Sequence, residues 1–260
     1  MTAKESIVRI FRVDKPVIAM LHLAGHGRRA VHELAKREIE QLYANGVDAV
    51  LVEDYFGSAD DVDWALGYLH HNYPEHVYGV NLLCDAEWAF VLAKEHGASF
   101  MQMDSVCGHL RPGDPSSGAA GKPIDRATRD GDFAKRLQKM RADYPTFLLG
   151  GVRFKYQPVL SGRSEECDLH IAMGRCDAVV VTGTGTGVAT DVDKIARFRK
   201  TLGGFPLIVG ASMTAESCKE QLAIADGAIV GTWIKEEGDT CRPVDPQRVR
   251  TLMRAVREVR

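Results

Sequence analysis

Short apolar runs recur along the whole chain, and each is followed by a stretch in which apolar residues return every three or four positions. A short run bounded by turn residues reads as a buried strand, and the longer period as an amphipathic helix. The runs are 17–22 (VIAMLH), 48–53 (DAVLVE), 76–83 (HVYGVNLL), 99–104 (SFMQMD), 146–154 (TFLLGGVRF), 177–182 (DAVVVT), 206–211 (PLIVGA) and 227–232 (GAIVGT). The helical stretches are 30–45, 59–72, 85–96, 131–143, 164–174, 192–201 and 214–224. A last helix starts at Asp245-Pro246, with Asp as N-cap and Pro at the first helical position. Strict alternation of eight strands and eight helices, with no linker to divide them, predicts an α/β fold closed as a single (β/α)8 TIM barrel over residues 1–260. An open doubly wound sheet usually needs fewer units. Residues 1–15 precede the first unit and are expected to cover the bottom of the barrel. Residues 105–128 are rich in Gly, Pro and Ser and lack periodicity, as a functional or mobile loop would.

Composition narrows the class of partner. The chain is 45% hydrophobic and 26% charged, ordinary for a soluble enzyme with a large core. A net charge of -2 gives no basic excess for nucleic acid or an acidic membrane surface. Cysteines stand at 84, 107, 167, 176, 218 and 241, with no C-x-x-C pair and no secretory segment at the start. Reduced thiols in the cytoplasm are expected. No apolar run approaches the roughly 20 residues that span a bilayer, so integral membrane association is not expected, and peripheral attachment stays open.

Barrels of this kind carry their active site at the C-terminal ends of the strands. The strand ends here present His22, Glu53, Asp54, Asn81, Asp104, Arg153, Lys155, Thr182, Ser212 and Thr232. Gly210-Ala211-Ser212 and Gly231-Thr232 follow the seventh and eighth strands, where barrels often bind phosphate. Glycine lets backbone N–H groups approach an anion, and the predicted helix at 214 would add its dipole. The run Thr182-Gly183-Thr184-Gly185-Thr186-Gly187 is neither a P-loop nor G-x-G-x-x-G. It reads as a hydroxyl-rich loop that closes on the ligand, or as plain turn chemistry. Asp191 and Asp193 begin the next helix, and capping accounts for at least one of them.

For the chemistry, Lys155 suits a Schiff base, or neutralisation of an enolate or a second phosphate. Asp54 and Asp104 suit an acid/base pair, or Mg²⁺ held jointly with a substrate phosphate. Glu53 and Asp54 should point to opposite sides of their strand, leaving one of them structural; Asp54 is the candidate taken forward. His22, with His26 four residues on, fits a donor to substrate better than a metal site. Asn81 and Arg153 are further substrate-binding candidates, and His70-His71 read as surface residues.

The residues also resemble the BtpA/SgcQ family. The similarity lies in KPVIAMLHLAG (15–25), GVDAVLVED (46–54), YGVNLLCDAEWAFVLAKEHGASF (78–100), DAVVVTGTGTGVATDVDKI (177–195), PLIVGASMTAES (206–217) and ADGAIVGTWIKEEGDTCRPVDPQRVRTLM (225–253). The resemblance implies a barrel of the ribulose-phosphate-binding type. It maps Asn81, Lys155, Thr182 to Gly187, Asp191, Lys194 and the two phosphate turns onto family motifs. The segment MDSVCGHLRPGD departs from it, so Asp104 rests on its strand end alone. The family name implies a role in photosystem I stability, whereas other members look like enzymes of carbohydrate or nucleoside catabolism. Three functions follow as expectations. The first is an enzyme of phosphorylated sugars or ribosyl phosphates, with lyase, isomerase or glycosyl-cleaving chemistry. The second is a non-catalytic assembly factor, and the third a metal-dependent hydrolase. A closed homo-oligomer is expected only from how common such assemblies are.

Overall fold

A computed structural model describes residues 2–83, 85–107, 132–156 and 162–260. Eight parallel strands close into a barrel in sequence order. They are β1 (Val17–Leu21), β2 (Ala49–Glu53), β3 (Val77–Asn81), β4 (Phe100–Met103), β5 (Phe147–Gly151), β6 (Ala178–Val181), β7 (Leu207–Gly210) and β8 (Gly227–Val230). Closure is made where β8 pairs with β1, Ile229 lying opposite Ile18. The chain is therefore a (β/α)8 TIM barrel.

Successive side chains on a strand face opposite sides of the sheet. That period of two divides the core here. Ile18, Met20, Ala49, Leu51, Val77, Phe100, Leu149, Val180, Ile208 and Ile229 share one buried cluster, which fills the barrel. Val17, Ala19, Leu21, Val50, Val52, Val179 and Val209 belong to a second, packed under the helices. Strands buried on both faces need continuous apolar runs, which is why no hydrophobic–polar alternation marks them in the sequence.

The helices are α1 (Ala3–Phe11), α2 (Arg28–Ala44), α3 (Ala59–Asn72), α4 (Ala86–Glu95), α5 (Phe133–Asp143), α6 (Glu165–Met173), α7 (Val192–Leu202), α8 (Cys218–Ile224) and α9 (Pro246–Arg257). Helix α1 has no place in the expected alternation. It closes the bottom, sending Ile7 and Phe11 into the inner cluster, with the Phe11 and Phe100 rings 5.0 Å apart. Asp245 caps α9 as expected, its Oδ1 accepting from Gln247 N at 2.8 Å. Most of the expected 105–128 loop, and Cys84, lie outside the described residues.

Three boundaries move, and each bears on the site. The strand expected over 146–154 stops at Gly151, because Arg153 turns into the left-handed region at φ 48°. Lys155 therefore stands in the loop above β5. The helix expected from 214 begins at Cys218, after Thr214 and Ser217 have bonded to each other's backbone and hydroxyl groups. No helix start abuts Gly210–Ser212. After β8 the chain enters a 3-10 turn at Thr232–Ile234.

Candidate functional site

A cavity opens at the C-terminal ends of the strands. Met20, Phe154 and Ile229 give it an apolar floor. One wall carries His22, Glu53, Gln102 and Lys155, and the other carries Thr182, Thr186, Gly187, Gly210, Ala211, Ser212, Gly231 and Thr232. Both expected phosphate turns thus face the same space as Lys155 and His22.

The first wall is built from neighbouring strand ends. Pairing of β2 with β3 sets Glu53 beside Asn81. Asn81 Nδ2 donates to Glu53 Oε1 at 2.8 Å and to Asp104 Oδ1 at 3.1 Å. Gln102 Nε2 donates to the same Asp104 oxygen at 2.8 Å. His22 Nε2 lies 3.7 Å from Glu53 Oε2, beyond hydrogen-bond length. Burial removes water from all of these groups and disfavours their charged forms. It pushes the Glu53 carboxyl up to about 8, helped by the neighbouring charges of Asp104 and Asp54 and opposed by Lys155. Burial also raises Asp104 above the ordinary carboxylate range. It holds His22 well below its usual value, with Lys235 and Lys155 acting in the same direction. His22 is therefore a neutral imidazole near pH 7, and Glu53 is largely protonated.

The opposite wall is made of backbone. Ala211 and Ser212 are both left-handed, at φ 71° and 57°, a conformation that L side chains avoid. Gly231 is there for a different reason: a Cβ at this position would lie 2.9 Å from His22 Cε1. Its small size lets the imidazole reach the cavity. Four buried atoms at this mouth have no hydrogen-bond partner among the described residues: His22 Nδ1, Asn81 Oδ1, Gln102 Oε1 and Ser212 Oγ. Buried polar atoms are rarely left unpaired, and their concentration at one mouth makes it the candidate ligand site.

Ser212 combines backbone strain with an unpartnered hydroxyl, two costs that a purely structural residue would shed. Ser212→Gly is expected to leave stability unchanged or raise it by about 1 kcal/mol. The same change is expected to weaken phosphate binding about fivefold or more, since one donor is lost. Denaturant melts and phosphate titrations check this together; lower stability at unchanged affinity would make Ser212 structural.

The other expected residues divide. The Asp54 carboxylate faces away from this cavity's lining and accepts from Leu83 N at 2.9 Å, which fixes the loop after β3. Arg153 is also turned aside: its Nε bonds Asp168 Oδ2 at 3.0 Å, and Arg163 bonds the other oxygen of that buried carboxylate. Asp191 caps α7 through Asp193 N. Thr184 is exposed outside the cavity, and Gly185 packs under Tyr156. The rest of that loop is tied down. Thr186 N donates to Tyr156 Oη at 2.7 Å, and Thr190 Oγ1 donates to Gly210 O at 2.8 Å. Lys194 Nζ bonds Thr182 O at 2.7 Å and so supports the loop from below.

Gln102 escaped the strand-end reading, and Glu53, one of the strand ends, was passed over for Asp54. The inner cluster contains the signal that finds them. Counting by two from inward-facing Ala49 and Leu51 reaches Glu53, from Ile18 and Met20 reaches His22, and from Phe100 reaches Gln102. Among the described residues, no group of three or more His, Cys, Asp or Glu side chains is arranged to hold a metal ion.

The model of the BtpA family matches residues 74–258. This chain belongs to the BtpA family. An uncharacterized protein of Thermococcus kodakarensis is 31% identical to it, over 95% of this chain and 97% of the relative. The photosystem I biogenesis protein BtpA of Synechocystis sp. is 24% identical, over 97% and 91%. The putative sgc region protein SgcQ of Escherichia coli is 25% identical, over 96% and 97%. Similar folds occur in 3-hexulose-6-phosphate synthase from Salmonella typhimurium, with TM-score 0.61, 12% identity and coverage of 94% of this chain and 100% of that one. N-(5'-phosphoribosyl)anthranilate isomerase from Pyrococcus furiosus gives 0.60, 15%, 94% and 100%. At such identities the likeness is one of fold. No described helix of this BtpA-family barrel is long and apolar enough to cross a membrane.

Proposed function

We propose that this BtpA-family barrel is a cytoplasmic enzyme acting by proton transfer on a phosphorylated sugar or ribosyl phosphate. The observation that carries this reading is the pairing of two unlike walls around one cavity. The turns after β7 and β8 form one wall, and buried Glu53 and His22, with half-buried Lys155, form the other. The phosphate would lie against Gly210–Ser212 and Gly231–Thr232, where Ser212 Oγ has no hydrogen-bond partner among the described residues. Anchored there, the sugar carbons reach the opposite wall. Neutral His22 then takes the proton from the substrate carbon, protonated Glu53 delivers one to the substrate oxygen, and the Lys155 ammonium stabilises the negative charge developing on that oxygen. Isomerase and lyase chemistry both use this set. The fold's likeness to enzymes named for phosphorylated sugars supports the reading.

The name of the Synechocystis relative favours the assembly-factor alternative. A scaffold, however, has no use for ionisable groups buried at a cavity at a cost to stability. A hydrolase using Mg²⁺ with the substrate phosphate would lose activity to EDTA, whereas the proposed enzyme would not.

The deciding experiment is a thermal-shift panel of inorganic phosphate, ribose 5-phosphate and nucleoside monophosphates. A ligand at about 100 times its Kd stabilises by about 2.7 kcal/mol, so at least one member should raise Tm in a concentration-dependent way. A flat response across a broad set of phosphate esters would sink the proposal.

A further inference from the structure

The wall opposite the phosphate turns has its own chemical preference. Gln102, only 4% exposed, lines the cavity from β4. Its amide is fixed in one orientation, because Nε2 donates to Asp104 Oδ1 at 2.8 Å. Asn81 Nδ2 converges on that same oxygen at 3.1 Å. Flipping Gln102 would bring its carbonyl oxygen against the Asp104 oxygen. The atom left without a partner among the described residues is therefore an acceptor, Gln102 Oε1. An ionised phosphate or carboxylate has no hydrogen to give it; a hydroxyl or an N–H group does. Lys155 lines the same cavity and repels a cationic amine. Of the donors that a phosphorylated sugar carries, hydroxyl remains.

We infer that the cavity selects a polyhydroxylated phosphate ester, and that Gln102 is the residue that reads a substrate hydroxyl through its free carbonyl oxygen. The inference rests on the phosphate reading above and specifies what the rest of the ligand must carry. The apolar floor of Met20, Phe154 and Ile229 faces the carbon chain. Hydroxyl donors meet Gln102 on one side while the phosphate is held on the other. A site built to bond a hydroxyl discriminates strongly against an analogue without one, because its buried partner is left unsatisfied.

Calorimetric titration of the full chain tests this with two matched sets of probes. One set is the aldose and ketose phosphates of three to six carbons; the other is the n-alkyl phosphates of the same carbon counts. In the wild type, at least one hydroxylated ester should bind about tenfold or more tightly than its alkyl match. Gln102→Met should bring that ratio close to one without weakening the alkyl phosphates. Gln102→Glu, which retains an acceptor oxygen, should keep part of the preference. Equal affinities for the two sets in the wild type overturn the inference, a comparison that needs no variant to fold. So does a preference that survives in Gln102→Met. If neither set binds, the phosphate reading itself has failed and this inference falls with it; alkyl binding without hydroxyl preference overturns this inference alone.

Discussion

Glu53→Gln is expected to lower kcat by about 10²–10⁴-fold on the substrate that the phosphate panel identifies, the range for loss of a positioned general acid. Glutamine preserves the shape of the side chain and its place beside Asn81, but it cannot deliver a proton. A general acid works in its protonated form, and the Glu53 carboxyl titrates at about 8. Wild-type turnover should therefore fall as pH rises through about 8. Stability carries the same signature and needs no substrate. Folding raises this pKa from its ordinary 4.5, so the native state holds the proton more tightly than the unfolded chain. The stabilisation is complete below about 4.5 and is lost as pH rises to about 8. Glu53→Gln is neutral throughout and removes that share of the slope, leaving the part due to Asp104, which is raised by burial in the same direction, and the opposite part due to His22, which is lowered. Denaturant melts across this window read the difference. An identical pH dependence in variant and wild type would mean that Glu53 does not carry the proton.

The largest stability effect is expected outside the cavity lining, at Glu38. Its Oε1 accepts from Lys235 Nζ at 2.7 Å and from Val244 N at 2.8 Å. The two side chains are 1% and 3% exposed. Residues 197 positions apart are joined here, α2 near the start of the barrel to the segment after β8. Lys235 N also bonds Thr232 O, so the pair anchors the turn that carries the Gly231–Thr232 wall. Removing one partner of a buried pair leaves an uncompensated charge and costs about 3–5 kcal/mol. Glu38→Ala should accordingly lower Tm by roughly 6–20 °C. Adding Lys235→Met should recover part of the loss, because the stranded ammonium is then gone. A drop in Tm no greater than that of an exposed substitution would show that water reaches Lys235. The pair also bears on the site, since the Lys235 charge helps keep His22 neutral.

Much of the site was legible in the order of elements. The turns after the seventh and eighth strands, Lys155 and His22 all face one cavity, because strand ends in a closed barrel converge whatever their separation in sequence. What was not legible was direction. Asp54 and Glu53 are adjacent carboxylates at one strand end; which of them enters the cavity depends on the parity of the strand, set by Ala49 and Leu51 inside the barrel. Because these strands are buried on both faces, their sequence shows no alternation to reveal it. Arg153 looked well placed for an anion, yet the left-handed turn at φ 48° swings its guanidinium to Asp168, itself buried on α6. Gln102 drew no notice, since a single amide within an apolar run carries no local signal.

The sequence by itself determined the eight strand–helix units, the single closed barrel that they imply, and the positions of its glycine-dense turns. Those are consequences of local periodicity, turn chemistry and the count of units. Only the tertiary structure decided which polar side chains share a cavity, which are spent holding loops, and which are pushed out of their ordinary protonation state. The reason is physical: burial, pairing and the inward or outward sense of a strand depend on neighbours brought together from distant parts of the chain. The 197-residue span between Glu38 and Lys235 is the clearest case.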